Sequence, residues 1–274
     1  MLSVNTNVGA MLALQYLNQT QLALQTTQAA INSGLKVATP QDNGAVYAIA
    51  QNMRGNVGGY QAVNDSINRG VSTVDVGISA GQSISDLLNE LKAKALAGAD
   101  ASLDTASRNA LNADFTALRD QITTIVQNAS FNGTNMVDGS TKNFQALASS
   151  DGTRKITVNG EALNLSGAIV TLKTTGTIST AAKASTMIGT INTSIQNVNS
   201  ALARMAAGVQ KLTIQATFVS KLVDTLNQGI GNLVDANMAV ESAQLQSLQV
   251  KQQLGIQALS IANAAPSIVL SLFR

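Results

Sequence analysis

The chain has 274 residues, a formal net charge of +2, no His, no Cys and no Trp, and only 3% aromatic and 12% charged residues. The commonest general base, thiol nucleophile and transition-metal ligands are therefore missing, and no acidic cluster or phosphate loop replaces them, so neither an enzyme nor a cofactor-binding protein is expected. Scattered basic residues on a nearly neutral chain leave little support for nucleic-acid binding, and scarce aromatics argue against large globular cores.

Residues 1–35 carry no charged side chain at all, whereas an ordinary surface helix places charges on its outer face. Ala10, Leu17, Leu24 and Ile31 recur every seven residues, with Leu14, Gln21, Gln28 and Leu35 interleaved. This is a helix seam of coiled-coil type with polar interruptions. Gly34 is placed to cap the helix end. Residues 8–17 are apolar enough to resemble the core of a signal peptide. No Lys or Arg precedes them and no small-residue cleavage site clearly follows, so a cleaved secretory signal is not expected.

Residues 36–56 read as a connecting loop, in which Asp42 and Asn43 are candidate anchors, either as a helix cap or across a contact between copies. Residues 57–129 read as two helices, 57–100 and 105–129, with apolar residues such as Val63, Ile67, Val74 and Ile84 near helical spacing. Residues 130–180 change character. They are rich in Thr, Ser, Gly and Asn, with alternation at Lys155-Ile156-Thr157-Val158, and Asn159-Gly160 is a type I′ turn signal that predicts a small β-hairpin. Residues 181–234 read as a third long helix.

The last segment, 235–274, mirrors the first. Val250, Leu254, Gln257, Ile261, Ala264 and Ile268 step by four and three, and a second apolar face carries Leu245, Leu248, Ile256 and Leu259. A helix that is apolar on two faces is normally buried on two sides. One face can hold the first helix and leave the other for neighbouring molecules. Burial of a Leu or Ile contributes about 1.5–3 kcal/mol, but ordering the backbone costs about 1–2 kcal/mol per residue. An isolated terminal pair is thus marginal and takes its missing burial from other copies.

The expected fold is mainly α: a long antiparallel helical rod with N- and C-terminal helices paired as a coiled coil, plus a small β-hairpin insertion at the end far from the termini. Candidate self-assembly residues are Leu14, Leu17, Leu24 and Ile31 in the first helix. In the last they are Leu254, Ile261, Ile268, Leu270, Leu272 and Phe273. No apolar run approaches the roughly 18–20 residues of a membrane span, and terminal segments whose only cations are Lys251 and Arg274 disfavour anionic membrane surfaces, so no membrane partner is expected.

Short segments across the chain resemble bacterial flagellin. Val4-Asn5-Thr6-Asn7 is similar to the family's opening Ile-Asn-Thr-Asn, and Ile31-Asn32-Ser33-Gly34-Leu35-Lys36-Val37 to its Leu-Ser-Ser-Gly-Leu-Arg-Ile. Asp42-Asn43-Gly44-Ala45-Val46-Tyr47-Ala48-Ile49-Ala50 resembles Asp-Asp-Ala-Ala-Gly-Leu-Ala-Ile-Ala, and Phe131-Asn132-Gly133-Thr134 the Phe-Asn-Gly turn after the second long helix. Val269-Leu270-Ser271-Leu272-Phe273-Arg274 is close to the closing Val-Leu-Ser-Leu-Leu-Arg.

The resemblance implies a subunit that self-assembles into an extracellular flagellar filament for swimming motility, exported uncleaved and unfolded through the flagellar type III apparatus. It also implies hook-filament junction proteins, a filament cap and an export chaperone as partners. The large outer domains of many flagellins are absent or reduced to the hairpin. In the family's innate-immune recognition stretch, Glu90 stands where the resemblance places a cation, and Ala93-Lys94 replaces an acidic-apolar pair, so weak or no activation of the host flagellin receptor is expected. Two other functions compete: a hook-filament junction protein forming a short ring, and a soluble helical adaptor or membrane-surface protein. Asn-X-Ser/Thr matches such as Asn18-Gln19-Thr20 are expected by chance in this composition, whereas the Ser/Thr-rich middle suits O-linked modification.

Overall fold

Helix α1 (Val8–Ser33) starts where Asn7 can cap it: the Asn7 Oδ1 accepts a hydrogen bond from the Ala10 amide at 3.0 Å. It ends at Gly34, whose φ of 71° is the left-handed conformation glycine adopts without strain. The computed structural model describes residues 6–271, with residues 265–271 as helix backbone only. Among the described residues there follow α2 (Gly44–Gly98), α3 (Thr105–Asn128), four short strands, α4 (Ala181–Val234) and α5 (Met238–Ser271). The chain is mainly helical and divides into two units, residues 6–55 with 225–271, and residues 56–224.

Helix α2 begins at Gly44, not near residue 57, so the expected loop over 36–56 is shorter. The reason is local. No proline follows Pro40 in this region, and the Asn43 Oδ1 accepts from the Val46 amide at 3.1 Å, which satisfies an orphan donor of the first turn.

The strands form two antiparallel pairs. β1 (Ser130–Phe131) and β2 (Thr134–Asn135) pair across Asn132-Gly133, both with positive φ (49° and 77°), as a type I′ turn requires. β3 (Asn143–Leu147) pairs with β4 (Lys155–Asn159), register Asn143↔Asn159 to Leu147↔Lys155. Their loop is residues 148–154, so Asn159-Gly160 does not make the hairpin turn. Asp151 organises that loop, accepting from the Ser149 and Thr153 hydroxyls and the Thr153 amide, which hold its carboxyl down at about 2. Gly160 serves a close approach instead: a Cβ there would lie 2.0 Å from the Thr141 carbonyl oxygen and 3.1 Å from that of Met136.

In the unit formed by 56–224 the core is drawn from all three helices and the segment between them. Ile67, Ile84 and Leu88 of α2, Phe115 and Ile122 of α3, and Ile191 and Met205 of α4 are fully buried, and so are Leu163, Leu172 and Ile178. The polar middle therefore contributes core residues and is not only a solvent-facing insertion. Its backbone groups find partners on helix side chains. The Asn112 Oδ1 accepts from the Ile178 amide at 2.7 Å, buried Arg119 donates to the Gly176 carbonyl at 2.7 Å, and the Ser194 hydroxyl accepts from the Thr171 amide at 3.0 Å. Buried Glu161 accepts a two-armed ion pair from Arg204, both contacts 2.7 Å. Glycines on the helices admit these neighbours, as Gly208 does for Val158 and Gly70 for Phe144.

Two glycine substitutions separate close approach from helix propensity. Gly160→Ala, which pushes a methyl into two carbonyl oxygens, is expected to destabilise by about 1–3 kcal/mol. Gly58→Ala, in α2 with open space around it, is expected to stabilise by about 0.5–1 kcal/mol. Urea unfolding midpoints check both signs.

Candidate self-assembly surface

Helices α1 and α5 pack antiparallel. The Asn7 Nδ2 donates to the Ala262 carbonyl at 2.7 Å near one end, and Leu35 bridges Asp235 at the other. The residues turned inward on α1 are Ala10, Ala13, Leu17, Thr20, Leu24, Thr27 and Ile31, spaced alternately by three and four, with Ala23 and buried Ala30 beside them. On α5 they are Glu241, Leu245, Leu248, Gln252, Gly255, Leu259 and Ala262, in the same rhythm. The heptad seam is real, but its interleaved positions differ from those the sequence suggests. Leu14, Gln21 and Gln28 lie outside it, and Leu14 is 48% exposed.

On α5 the face read first as a seam is the open one. Leu254 is 61% exposed and Ile261 68%, with Val250 alongside, whereas the second apolar face supplies Leu245, Leu248 and Leu259 to the pair. The physical reason is size. Ala13, Gly255 and Ala262 allow the helix backbones to approach: a Cβ on Gly255 would already meet the Leu17 Cδ1 at 3.2 Å. Close packing selects the face on which leucines alternate with small residues.

Of the sequence candidates, Leu24 is buried in the pair, Leu17 and Ile31 are half-buried, and Leu14, Leu254 and Ile261 face outward. Ile268 and Leu270 lie on α5 where only the backbone is described, and Leu272 and Phe273 fall outside the described residues. The outward face of α1 adds Met11, Tyr16 and Leu22, which sequence spacing did not single out; their separation from any charge was the available signal. Between the helices runs an open groove of about 440 Å³, whose lining includes Tyr16, Leu17, Leu248, Lys251, Leu254 and Gly255. A largely apolar surface of this kind, with Lys251 as its one charged residue, suits burial by another protein surface better than solvent.

The base of the pair is tied by main chain. The Lys36 amide donates to the Val234 carbonyl at 2.8 Å, the Ala236 amide to the Gly34 carbonyl at 2.9 Å, and the Lys36 Nζ to the Asn232 carbonyl at 3.0 Å. Sequence reading missed this clasp. The adjoining loop is closed by Asp42, whose Oδ2 accepts from the Thr39 amide at 2.8 Å, the Ala38 amide at 3.0 Å and the Thr39 hydroxyl at 3.1 Å. The Thr39 amide foremost, then its hydroxyl, hold the Asp42 carboxyl below the usual carboxylate range. Within the chain, Asp42 closes the loop and Asn43 caps α2. Among the described residues no set of His, Cys, Asp and Glu is placed to hold a metal, and no helix is long and apolar enough to cross a membrane.

Residues 4–142 match the bacterial flagellin N-terminal helical region and residues 188–273 the bacterial flagellin C-terminal helical region. The chain is 53% identical to Flagellin FljK of Caulobacter vibrioides, over 99% of this chain and 98% of that protein. It is 32% identical to a flagellin of Brucella melitensis over the whole of both. Among solved structures, the Bacillus cereus flagellin matches with a TM-score of 0.50 at 21% identity, covering 56% of this chain and 88% of that one. A putative flagellar hook-associated protein from Vibrio parahaemolyticus matches with a TM-score of 0.59 at 15% identity, covering 71% and 100%. At those identities the structural likenesses speak for the fold alone.

Because its bound carboxylate has a lowered pKa, the Asp42 loop is stabilised fully above the unfolded value of about 3.9 and loses that contribution as pH falls through the lower folded value. The amide resonances of Ala38 and Thr39, followed by NMR, should hold steady down to about pH 4 and shift only below it. Asp42→Ala should abolish that titration and leave the Val46 amide on Asn43 undisturbed.

Proposed function

We propose a mode of assembly from one premise: the chain belongs to the bacterial flagellin family and is a structural subunit of the flagellar filament. The observation that carries it is the exposure of Leu14, Leu254 and Ile261 on a helix pair along which, among the described residues, no third helix packs closely. In the polymer these residues are buried against sister molecules. Each Leu or Ile so transferred is worth about 1.5–3 kcal/mol, and the groove at Gly255 offers a socket for a neighbour's side chain. Residues 1–35 and 235–274 thus form the polymerising end, with residues 57–129 and 181–234 as the body and 130–180 as its insertion. Faces of the body helices supply further contacts between copies.

Hook-filament junction proteins, a filament cap and an export chaperone complete the partners, and the subunit acts outside the cell after export as an unfolded chain. A junction role gains nothing from the hook-associated likeness, which is one of fold, while the relatives at 32% and 53% identity are flagellins.

On the same basis the subunit activates the host flagellin receptor weakly or not at all. Glu90 is exposed on α2 beside Lys92, and Lys94 is engaged by Asp114 at 2.6 Å, so the exposed charges differ in sign and position from the cation-led pattern of the resembling stretch. A receptor reporter assay at nanomolar protein is expected to stay near background; robust activation there overturns this reading.

Leu254→Asp and Ile261→Asp are each expected to block elongation on filament seeds while the circular dichroism of the monomer stays unchanged, since neither residue lies in the α1–α5 seam. Leu24→Asp, inside the seam, should lower monomer helicity as well. Elongation of both outward-face variants at the wild-type rate would refute the proposed interface.

A further inference from the structure

The sequence contains three Asn-Gly pairs, Asn43-Gly44, Asn132-Gly133 and Asn159-Gly160. Such a pair is the most reactive setting for loss of the side-chain amide, because glycine leaves the following main-chain nitrogen unhindered. All three asparagines are exposed, so exposure does not rank them. Their hydrogen bonding does.

At the first pair the Asn43 side chain is occupied as the cap of α2, its Oδ1 bound to the Val46 amide at 3.1 Å while its carbonyl accepts from the Tyr47 amide. At the third, the Gly160 amide, which would be the nucleophile, donates to the Lys142 carbonyl at 2.9 Å, and the residue is wedged against the Thr141 and Met136 carbonyls. At the second, neither restraint exists. Gly133 has open space around it, and among the described residues its amide donates no hydrogen bond and the Asn132 side chain makes none.

We propose that Asn132 is a site of spontaneous deamidation in the folded subunit. The Gly133 nitrogen attacks the Asn132 Cγ, forming a C–N bond and closing a five-membered imide. The bond from Cγ to the side-chain nitrogen breaks, and that nitrogen leaves as ammonia with the proton from the Gly133 N–H. Water then adds to one of the two imide carbonyls and opens the ring to aspartate or isoaspartate. One water is consumed and one ammonia released, with no oxidant or enzyme.

The two products differ in consequence. Aspartate keeps the type I′ turn, since Asp-Gly suits it as well as Asn-Gly, and adds one negative charge. Isoaspartate puts an extra methylene into the main chain of a two-residue loop and disturbs the register Ser130↔Asn135. Asn135 is buried, donating to the Val126 carbonyl at 2.7 Å and accepting from the Val137 and Asp138 amides, so the lesion reaches the end of α3.

The test incubates the full chain at mildly alkaline pH and follows each Asn-Gly peptide by mass spectrometry, with a parallel sample in denaturant. In the folded chain Asn132 is expected to convert several-fold faster than Asn43 and Asn159, and in denaturant the three rates should converge. Equal or faster conversion of Asn43 or Asn159 in the folded chain overturns the proposal. So does the absence of conversion at Asn132, or the same ranking in the denatured sample.

Discussion

A pair of helices can bury only the surfaces they turn to each other, and α1 and α5 carry apolar residues well beyond that strip. The inward strip of α5 uses Leu245, Leu248, Gly255 and Ala262, while Leu254 and Ile261 remain in solvent. A charged outer face would have made the pair self-sufficient in water. The chain offers none along residues 1–35 or through residues 254–273. In the assembly proposed above, polymerisation is the physical remedy for this deficit, and the same residues that weaken the lone subunit drive it.

The other unit solves a different problem. Its middle segment has little regular structure, yet its peptide groups must be satisfied once its apolar side chains are drawn into the core. Asn112, Arg119, Ser194 and Asn197 on the helices meet that need, with Asn197 donating to the Ile169 carbonyl at 3.2 Å. Helix side chains here do the work that neighbouring strands do in a sheet. The Ser/Thr/Asn-rich composition of the segment hides this, because its few apolar residues, Leu163, Val170, Leu172 and Ile178, are spread too thinly to show a period.

Much of the helical plan was legible, because long periodic stretches with few breakers leave little choice. Both ends of α4 and the left-handed cap at Gly34 follow from composition and spacing. What eluded the sequence was choice among near-equivalents. α5 carries a heptad seam and a second apolar face, and close packing selected the face with Gly255. Two Asn-Gly pairs could have turned a hairpin, and the surroundings assigned the turn to Asn132-Gly133 while Gly160 was spent on a close approach. The clasp at Gly34–Val37 left no local signal, since its partners are main-chain groups far along the chain.

That clasp sets how freely the middle of the chain can change in length. The Lys36 Nζ and the Asn232 carbonyl it meets are 196 residues apart. The entropy lost in closing a flexible loop grows only with the logarithm of its length, so doubling the span would cost about 0.6 kcal/mol more. One additional buried leucine contributes about 1.5–3 kcal/mol. The two termini can therefore keep their union while the segment between them lengthens or shrinks, and the size of this subunit's midsection is free to drift without loosening its ends.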